Sequence, residues 1–338
     1  MFHPGLIARR PRLHLQTLAA LIVACCVALI SAHAASAAPS PFAPSSVWNT
    51  PLASNAPIDS NSSGLVGELL RQKNTSGTWI NTTPYSTPVY TVDTSVPSQY
   101  VTVDGPQGNP MYTNATDAAN LQQQLRWVPI PAGAVQAAGV DGHMVIYRPS
   151  TDQMWELWRA TNWGTSANPV WHAQWGAKIN NVSTNDGRVP APFGATASGQ
   201  PLLGGLIRAS ELYSGHIDHA ISLAVPDVQR WKYVWPSTRT DGTYTGPNAI
   251  PEGQRFRLPA SLDIASLNLP PVGQMIAQAA QKYGIILRDG GGAVTFFAED
   301  PTPFGFNPYN KLFGGLDPSQ ILANFPWSKL QALQQQTP

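Results

Sequence analysis

His143-Met144-Val145-Ile146-Tyr147-Arg148, then Pro149-Ser150-Thr151-Asp152, then Gln153-Met154-Trp155-Glu156-Leu157-Trp158-Arg159-Ala160 is the stretch on which the fold turns. Two strand-length runs of β-branched, aromatic and long apolar residues flank four turn formers, which predicts an antiparallel pair with a tight connection. Alternation puts Met154, Glu156, Trp158 and Ala160 on one face, and Gln153, Trp155, Leu157 and Arg159 on the other. Downstream, Pro169 to Ile179 reads as one more strand. There Trp171, Ala173, Trp175 and Ala177 share a face, while His172, Gln174 and Lys178 line the opposite one.

Further strand-length runs lie at Thr87 to Val92, Tyr100 to Val103, His219 to Val225, Arg230 to Trp235 and Gln254 to Leu258. Gly284 to Arg288 and Ala293 to Phe297 face each other across Asp289-Gly290-Gly291-Gly292, which predicts a hairpin. Helical periodicity is confined to Gly64 to Gln72 and to Val272 to Tyr283. The second of these is preceded by Pro270-Pro271 and followed by Gly284, placed for a left-handed cap. No repeat, internal linker or Gly-rich phosphate loop after a strand is found. The expected fold is therefore mainly β: a β-sandwich or jelly-roll-like single domain over residues 61–338, with one or two peripheral helices and a C-terminal extension.

The composition bounds the function. Of 338 residues, 43% are hydrophobic and 12% charged, with 11 Trp, 32 Pro and 28 Gly, enough apolar surface for a core with many turns. A net charge of +1 argues against a nucleic-acid partner. Residues 1–37 read as a secretory signal: Arg9, Arg10 and Arg12 precede the apolar run Leu18 to Ile30, and Ala35-Ser36-Ala37 offers a cleavage site. The apolar run is short of the roughly 20 residues that span a bilayer, so no membrane association is expected after cleavage. Residues 38–60, rich in Pro, Ala and Ser, are expected to run extended until Trp48 and Leu52 dock. Cleavage removes both cysteines, Cys25 and Cys26, which excludes disulfides and a cysteine nucleophile from the mature chain. It also removes three arginines and no acid, leaving a net charge of −2. A secreted, monomeric protein is expected.

Few charges beside many Trp, Asn, Gln, Ser and Thr residues suit a neutral glycan partner. Glu156 sits beside the Trp158 ring, and His172, Gln174 and Lys178 supply planar or cationic groups, an arrangement a sugar cleft would use. Trp at alternate strand positions also builds cores, and Glu156 has Arg148 and Arg159 within sequence reach as ion-pair partners. The second constellation, Gly215-His216-Ile217-Asp218-His219-Ala220, places His216 and Asp218 on one face and His219 on the other. That alternation disfavours a metal site using all three, and no metal or other cofactor is expected. His219 is either a buried histidine bonded to a backbone carbonyl or an acid, base or sugar-binding group near Glu156.

Pro201-Leu202-Leu203-Gly204-Gly205-Leu206-Ile207-Arg208, Gly215 to Ala220, Tyr233-Val234-Trp235-Pro236, Pro251-Glu252-Gly253-Gln254-Arg255-Phe256-Arg257-Leu258, Ala279 to Ile285 and Asp289 form a series. This series, spanning about residues 140–300, resembles that of an uncharacterised family of secreted bacterial β-rich proteins. The resemblance implies export and a β-rich fold and carries no reaction. Concanavalin-like lyases, which line a concave sheet with Gln, His, Arg and Tyr, are a more distant analogy whose motif order is not reproduced.

The leading expectation is a secreted glycoside hydrolase acting on a polysaccharide through a carboxylate pair in an aromatic-lined cleft. Glu156 and Asp218 are the acid/base candidates, with Asp186 and Glu211 behind them, and His219 is the third catalytic candidate. Trp158, His172, Gln174, Lys178, Arg208 and His216 are the candidate substrate contacts. A polysaccharide lyase would draw a His or Tyr base and a neutralising group from His172, Gln174, Arg208, His219 and Tyr213. The third possibility is a non-catalytic glycan-binding or wall-associated protein. Serine hydrolysis lacks its Gly-x-Ser-x-Gly elbow.

Overall fold

The computed structural model describes Met1, residues 40–104 and residues 115–336. The expected export signal beyond Met1 lies outside the described residues, as do residues 38–39 of the Pro-rich segment. The central pair forms in the predicted register: Met144–Arg148 runs antiparallel to Gln153–Trp158, with Met144 opposite Leu157 and Tyr147 opposite Met154. A single 3₁₀ turn, Pro149–Thr151, makes the connection, and Asp152 closes it in the left-handed region at φ 52°, which Asp tolerates better than most residues.

Val89–Thr91 joins this pair in parallel on one side and Trp175–Asn180 antiparallel on the other, completing a four-stranded sheet. A six-stranded sheet has the order Thr78–Asn81, Val294–Phe297, Ile221–Val225, Ile285–Gly290, Arg255–Arg257, Gln331–Ala332, with parallel and antiparallel pairs. Val101–Val103, Trp171–Ala173 and Thr161–Asn162 make a three-stranded sheet, and Val228–Tyr233 pairs with Ile250–Glu252. The protein is thus mostly strands in several mixed sheets with few helices. The longer helices are Ser62–Ser76, Ala115–Gln124 and Pro271–Lys282. Among the described residues, no helix is long and apolar enough to cross a membrane.

Period-two alternation assigns the side chains to three apolar layers. Ile221, Leu223, Val225, Ile285, Leu287 and Phe296 point to the side where Leu65 and Leu69 of one helix and Ile276 and Ala280 of another cover the six-stranded sheet. Their neighbours Ala224, Ile286 and Phe297 point the other way and share a second layer with Val89, Val145, Met154, Ala177 and Ile179 of the four-stranded sheet. Met144, Ile146, Trp155 and Leu157, on that sheet's far face, meet Leu121, Leu125 and Trp171 in the third. The loop 194–206 inserts beside the second layer and admits no bulk: Gly205, at φ 68°, would carry a Cβ 2.4 Å from the Ser222 amide nitrogen and 2.7 Å from the Trp48 ring.

Three expectations are corrected. The hairpin across Asp289 to Gly292 does not form, because Ile221–Val225, buried throughout, inserts between its two arms. It pairs parallel with Ile285–Gly290 and antiparallel with Val294–Phe297, so the glycine-rich connection arches over a strand instead of turning tightly. Pro169 to Ile179 is two strands in two sheets, broken at Gln174, whose amide donates to the Trp158 carbonyl. Residues 40–60 fold as successive turns on the body, with Trp48 fully buried and its indole N–H on the Gly187 carbonyl.

Candidate functional site

Glu156 is fully buried on the face toward the second layer. Its carboxylate accepts the backbone N–H of Ala195 through Oε1 and of Leu202 through Oε2, both at 2.8 Å. Burial pushes its pKa up, while those two bonds and the Arg288 and Arg239 charges pull it back. Arg288, also buried between the sheets, donates to the Leu202 carbonyl. Glu156 therefore pins the inserted loop at two points and is closed off from solvent.

Asp218 lies on the surface, within reach of His216 Nδ1 at 2.8 Å and Lys282 Nζ at 3.5 Å. Among the described residues, no hydrogen bond or ion pair joins Glu156 to Asp218. His219 is buried: Nδ1 meets its neighbour's carbonyl, Ala220 O, at 2.8 Å, and Nε2 meets Glu211 Oε2 at 3.1 Å. Arg208, half-buried beside this pair, is ion-paired with buried Glu299 at 2.9 Å. The remaining candidates are dispersed. His172 bonds Asp104 through Nδ1 at 2.7 Å, Gln174 accepts from Arg159 at 3.0 Å, and Lys178 lies 5.2 Å from the centre of the Trp155 ring. Asp186 is on the surface, paired with Arg188.

Trp158 is the exception, because it lines a small cavity of about 100 Å³ together with Asp141, His143, Asp241 and Asp289. Its indole N–H donates to Asp141 Oδ1 at 3.2 Å. His143 is 5% exposed. Its Nε2 lies 3.2 Å from the Ala195 carbonyl, which makes Nε2 the N–H donor and Nδ1 the bare acceptor. That buried Nδ1 has no hydrogen-bond partner. Burial lowers the His143 pKa to about 4, with Arg288 adding to the effect and Asp141 opposing it, so the ring is neutral at ordinary pH.

The carboxyls here differ in their surroundings. Burial pushes Asp289 up to about 7, against the pull of Arg288 and with help from Asp241 and Asp141. Asp241, at the rim, is raised by desolvation and by Asp141, while Arg239 opposes. Behind them Glu252 is fully buried and stands well above the ordinary carboxyl range, through burial and the charges of Asp289 and Asp241. Arg239 holds the cavity wall, its guanidinium donating to the carbonyls of Pro192, Phe193, Gly194, Thr196 and Ala197.

The cavity is the middle of a longer groove. Asp141, His143 and Asp289 also line a pocket of about 370 Å³ that continues to Trp79 and Tyr85. Ala197 and Asp241 also line one of about 510 Å³ that continues to Arg230 and Trp231. Tyr85 at φ 64°, Arg159 at φ 50° and Trp231 at φ 60° are the positive-φ residues other than Gly, Asn and Asp among the described residues. Tyr85 and Trp231 line the two ends of this groove, and Arg159, which does not line it, lays its guanidinium 4.5 Å from the centre of the Trp158 ring. Each such conformation costs about 1 kcal/mol or more, and strain of this kind collects where function fixes a side chain. Trp231 is 80% exposed, and its ring is covered on one side by the Arg230 guanidinium at 3.7 Å.

The sequence reading missed Asp141, Asp241 and Asp289. A signal was present: each precedes glycine, in Asp141-Gly142, Asp241-Gly242 and Asp289-Gly290. Asp-Gly ordinarily marks a turn, and nothing in one sequence says that three such turns meet. Among the described residues, no group of three or more His, Cys, Asp or Glu is arranged to hold a metal ion. No family model, curated protein or solved structure matches the chain.

Proposed function

We propose that the protein is a secreted glycoside hydrolase acting on a polysaccharide laid along this groove. The observation that carries the reading is the meeting of three aspartates with neutral His143 and Trp158 in one cavity, midway between exposed aromatic rings. Glycoside hydrolysis needs one carboxyl that holds a proton and one that is ionised. Asp289, held near pKa 7, gives its proton to the glycosidic oxygen as the bond to the anomeric carbon breaks. Asp141, oriented by the Trp158 N–H, faces the anomeric carbon or the water that attacks it and takes up the positive charge or proton that results. His143 Nδ1 accepts a sugar hydroxyl, and Trp79, Tyr85 and Trp231 offer flat faces to the rings on either side. Glu156, Asp218 and His219 leave the catalytic assignment.

Action outside the cell is part of the proposal and rests on the residues before position 38. For the centre of the fold, the apolar layer shared by the six- and four-stranded sheets supports a sandwich-like arrangement.

The test is incubation of the protein without residues 1–37 with neutral and acidic polysaccharides, read by reducing-end release and by absorbance near 235 nm. Reducing ends without absorbance, lost in Asp289→Asn and Asp141→Asn, are expected. Absorbance would replace hydrolysis by elimination. Silence in both readings would leave binding alone.

A further inference from the structure

Outside the acidic groove, the three-stranded sheet carries a concentration of exposed aromatic surface. Trp163 is 66% exposed, yet its ring is fixed: it stacks on His172 with centroids 3.6 Å apart and planes 19° from parallel. His172 is held in turn by Asp104 at 2.7 Å. The loop behind Trp163 is knit by its amide on the Val170 carbonyl and by Asn162 Oδ1, which accepts the N–H groups of Gly164 and Val170. An indole braced on one face and bare on the other is a prepared surface, since a free surface side chain loses rotamer entropy on binding and this one has already lost it.

A groove of about 650 Å³ runs beside it, with Gln99, Tyr100, Thr102, Ser166 and Asn168 in its wall. None of its described lining residues is charged, and it shares none of them with the acidic groove. Tyr100 meets Trp127 edge-on at 6.0 Å, and both are exposed. Flat rings beside amides and hydroxyls match a neutral sugar chain, whose C–H faces stack on rings and whose hydroxyls meet planar polar groups; the charges near the face are Arg126, 6.0 Å from the Trp127 ring, and Asp104 under His172. An anionic chain or membrane surface would call for a cluster of Lys or Arg here, and the described lining residues of the groove include none.

We infer that this face is a second, non-catalytic binding surface for an uncharged polysaccharide, with Trp163 as its platform and His172 as the residue that positions the ring. It holds the enzyme on its substrate and takes no part in cleavage.

The experiment measures depletion isotherms on insoluble cellulose, chitin and starch, using Asp289→Asn protein so that turnover does not erode the support. Trp163→Ala in that background is expected to weaken binding to at least one of the three by about fivefold or more, and Tyr100→Ala by less. His172→Ala should reproduce part of the loss. His172→Phe, which keeps a stacking ring, should restore binding, an effect that loss of the Asp104 hydrogen bond alone would not give. Trp163 is exposed, so an unchanged melting temperature will certify the fold. Unaltered binding by Trp163→Ala overturns the inference, as does failure of the parent to bind any of the three solids. Reducing-end release from soluble oligosaccharides by the single variant Trp163→Ala tests the acidic groove separately and is expected at the parent rate. Absence of that release in both proteins would sink the hydrolase reading and leave the binding result intact.

Discussion

Trp158 and Asp141 are joined by a hydrogen bond of 3.2 Å from indole N–H to carboxylate, across the rim of the cavity that also holds Asp289. Trp158 has no freedom to turn away, because Arg159 covers its ring at 4.5 Å and its strand is paired on both sides. The bond therefore orients the carboxylate. Trp158→Phe keeps the ring and deletes the donor. We expect kcat on a soluble substrate to fall roughly tenfold, worth about 1.4 kcal/mol, with little change in KM. An unchanged kcat with a lowered melting temperature would reduce Trp158 to packing.

Asp289 sets the pH behaviour. If it must be protonated to act, kcat/KM falls as pH rises through about 7, and Asp289→Asn removes that limb together with about 10²–10⁴ of the rate. The same raised pKa appears in stability. Between the ordinary carboxyl value and about 7, the folded protein binds a proton that the unfolded chain has lost, so this group's contribution is present at low pH and declines as pH rises. Asp289→Asn should accordingly melt at a higher temperature relative to the parent at pH 8 than at pH 5. A pH-independent difference between the two would contradict the assignment.

Parts of this arrangement were legible from sequence for physical reasons. Period-two burial placed Met154, Glu156 and Trp158 on one face and Trp155 with Leu157 on the other, because the Met144–Trp158 pair makes its contacts across a short turn. The helix Pro271–Lys282 was readable from Pro270-Pro271 and its apolar stripe. What could not be read was long-range order. Ile221–Val225 enters between two segments that look like a hairpin, and only then does Asp289 become a cavity residue instead of a turn residue. The cavity likewise needs Asp141 and Asp241, 100 positions apart. Glu156 attracted attention because a carboxylate on an apolar face needs a reason. The reason is two backbone N–H groups of a loop about 40 residues away, which no local pattern announces.

Glu156 gives a stability prediction that separates it from catalysis. Glu156→Ala leaves the buried amides of Ala195 and Leu202 unpaired and Arg288 and Arg239 without their shared counter-charge. The cost should be about 2–5 kcal/mol in urea unfolding. Glu156→Gln keeps one accepting oxygen and should cost less. In both variants, the fraction that remains folded at low temperature should retain kcat within severalfold, because the carboxylate touches the loop and not the substrate. A loss of 10³ in kcat at unchanged stability would return Glu156 to the catalytic set.

His219 and Glu211 form a buried pair at 3.1 Å, and its pH dependence has a definite sign. Burial alone would lower the His219 pKa, but the Glu211 charge and hydrogen bond outweigh it and the net shift is upward. The folded protein then holds a proton on His219 at pH values where the unfolded chain has released it. Its contribution to stability is full below the ordinary histidine value of about 6.5 and is lost as pH rises through the higher folded value. The melting temperature of His219→Asn should therefore lie furthest below that of the parent at about pH 5, with the gap closing toward pH 9. At a temperature where both are folded, turnover should be equal, because among the described residues no hydrogen bond or ion pair of this pair reaches Asp141 or Asp289. A gap that widened with pH would mean the ring is neutral in the folded protein. A loss of turnover by about 10² or more in folded His219→Asn would make the histidine an acid or base after all.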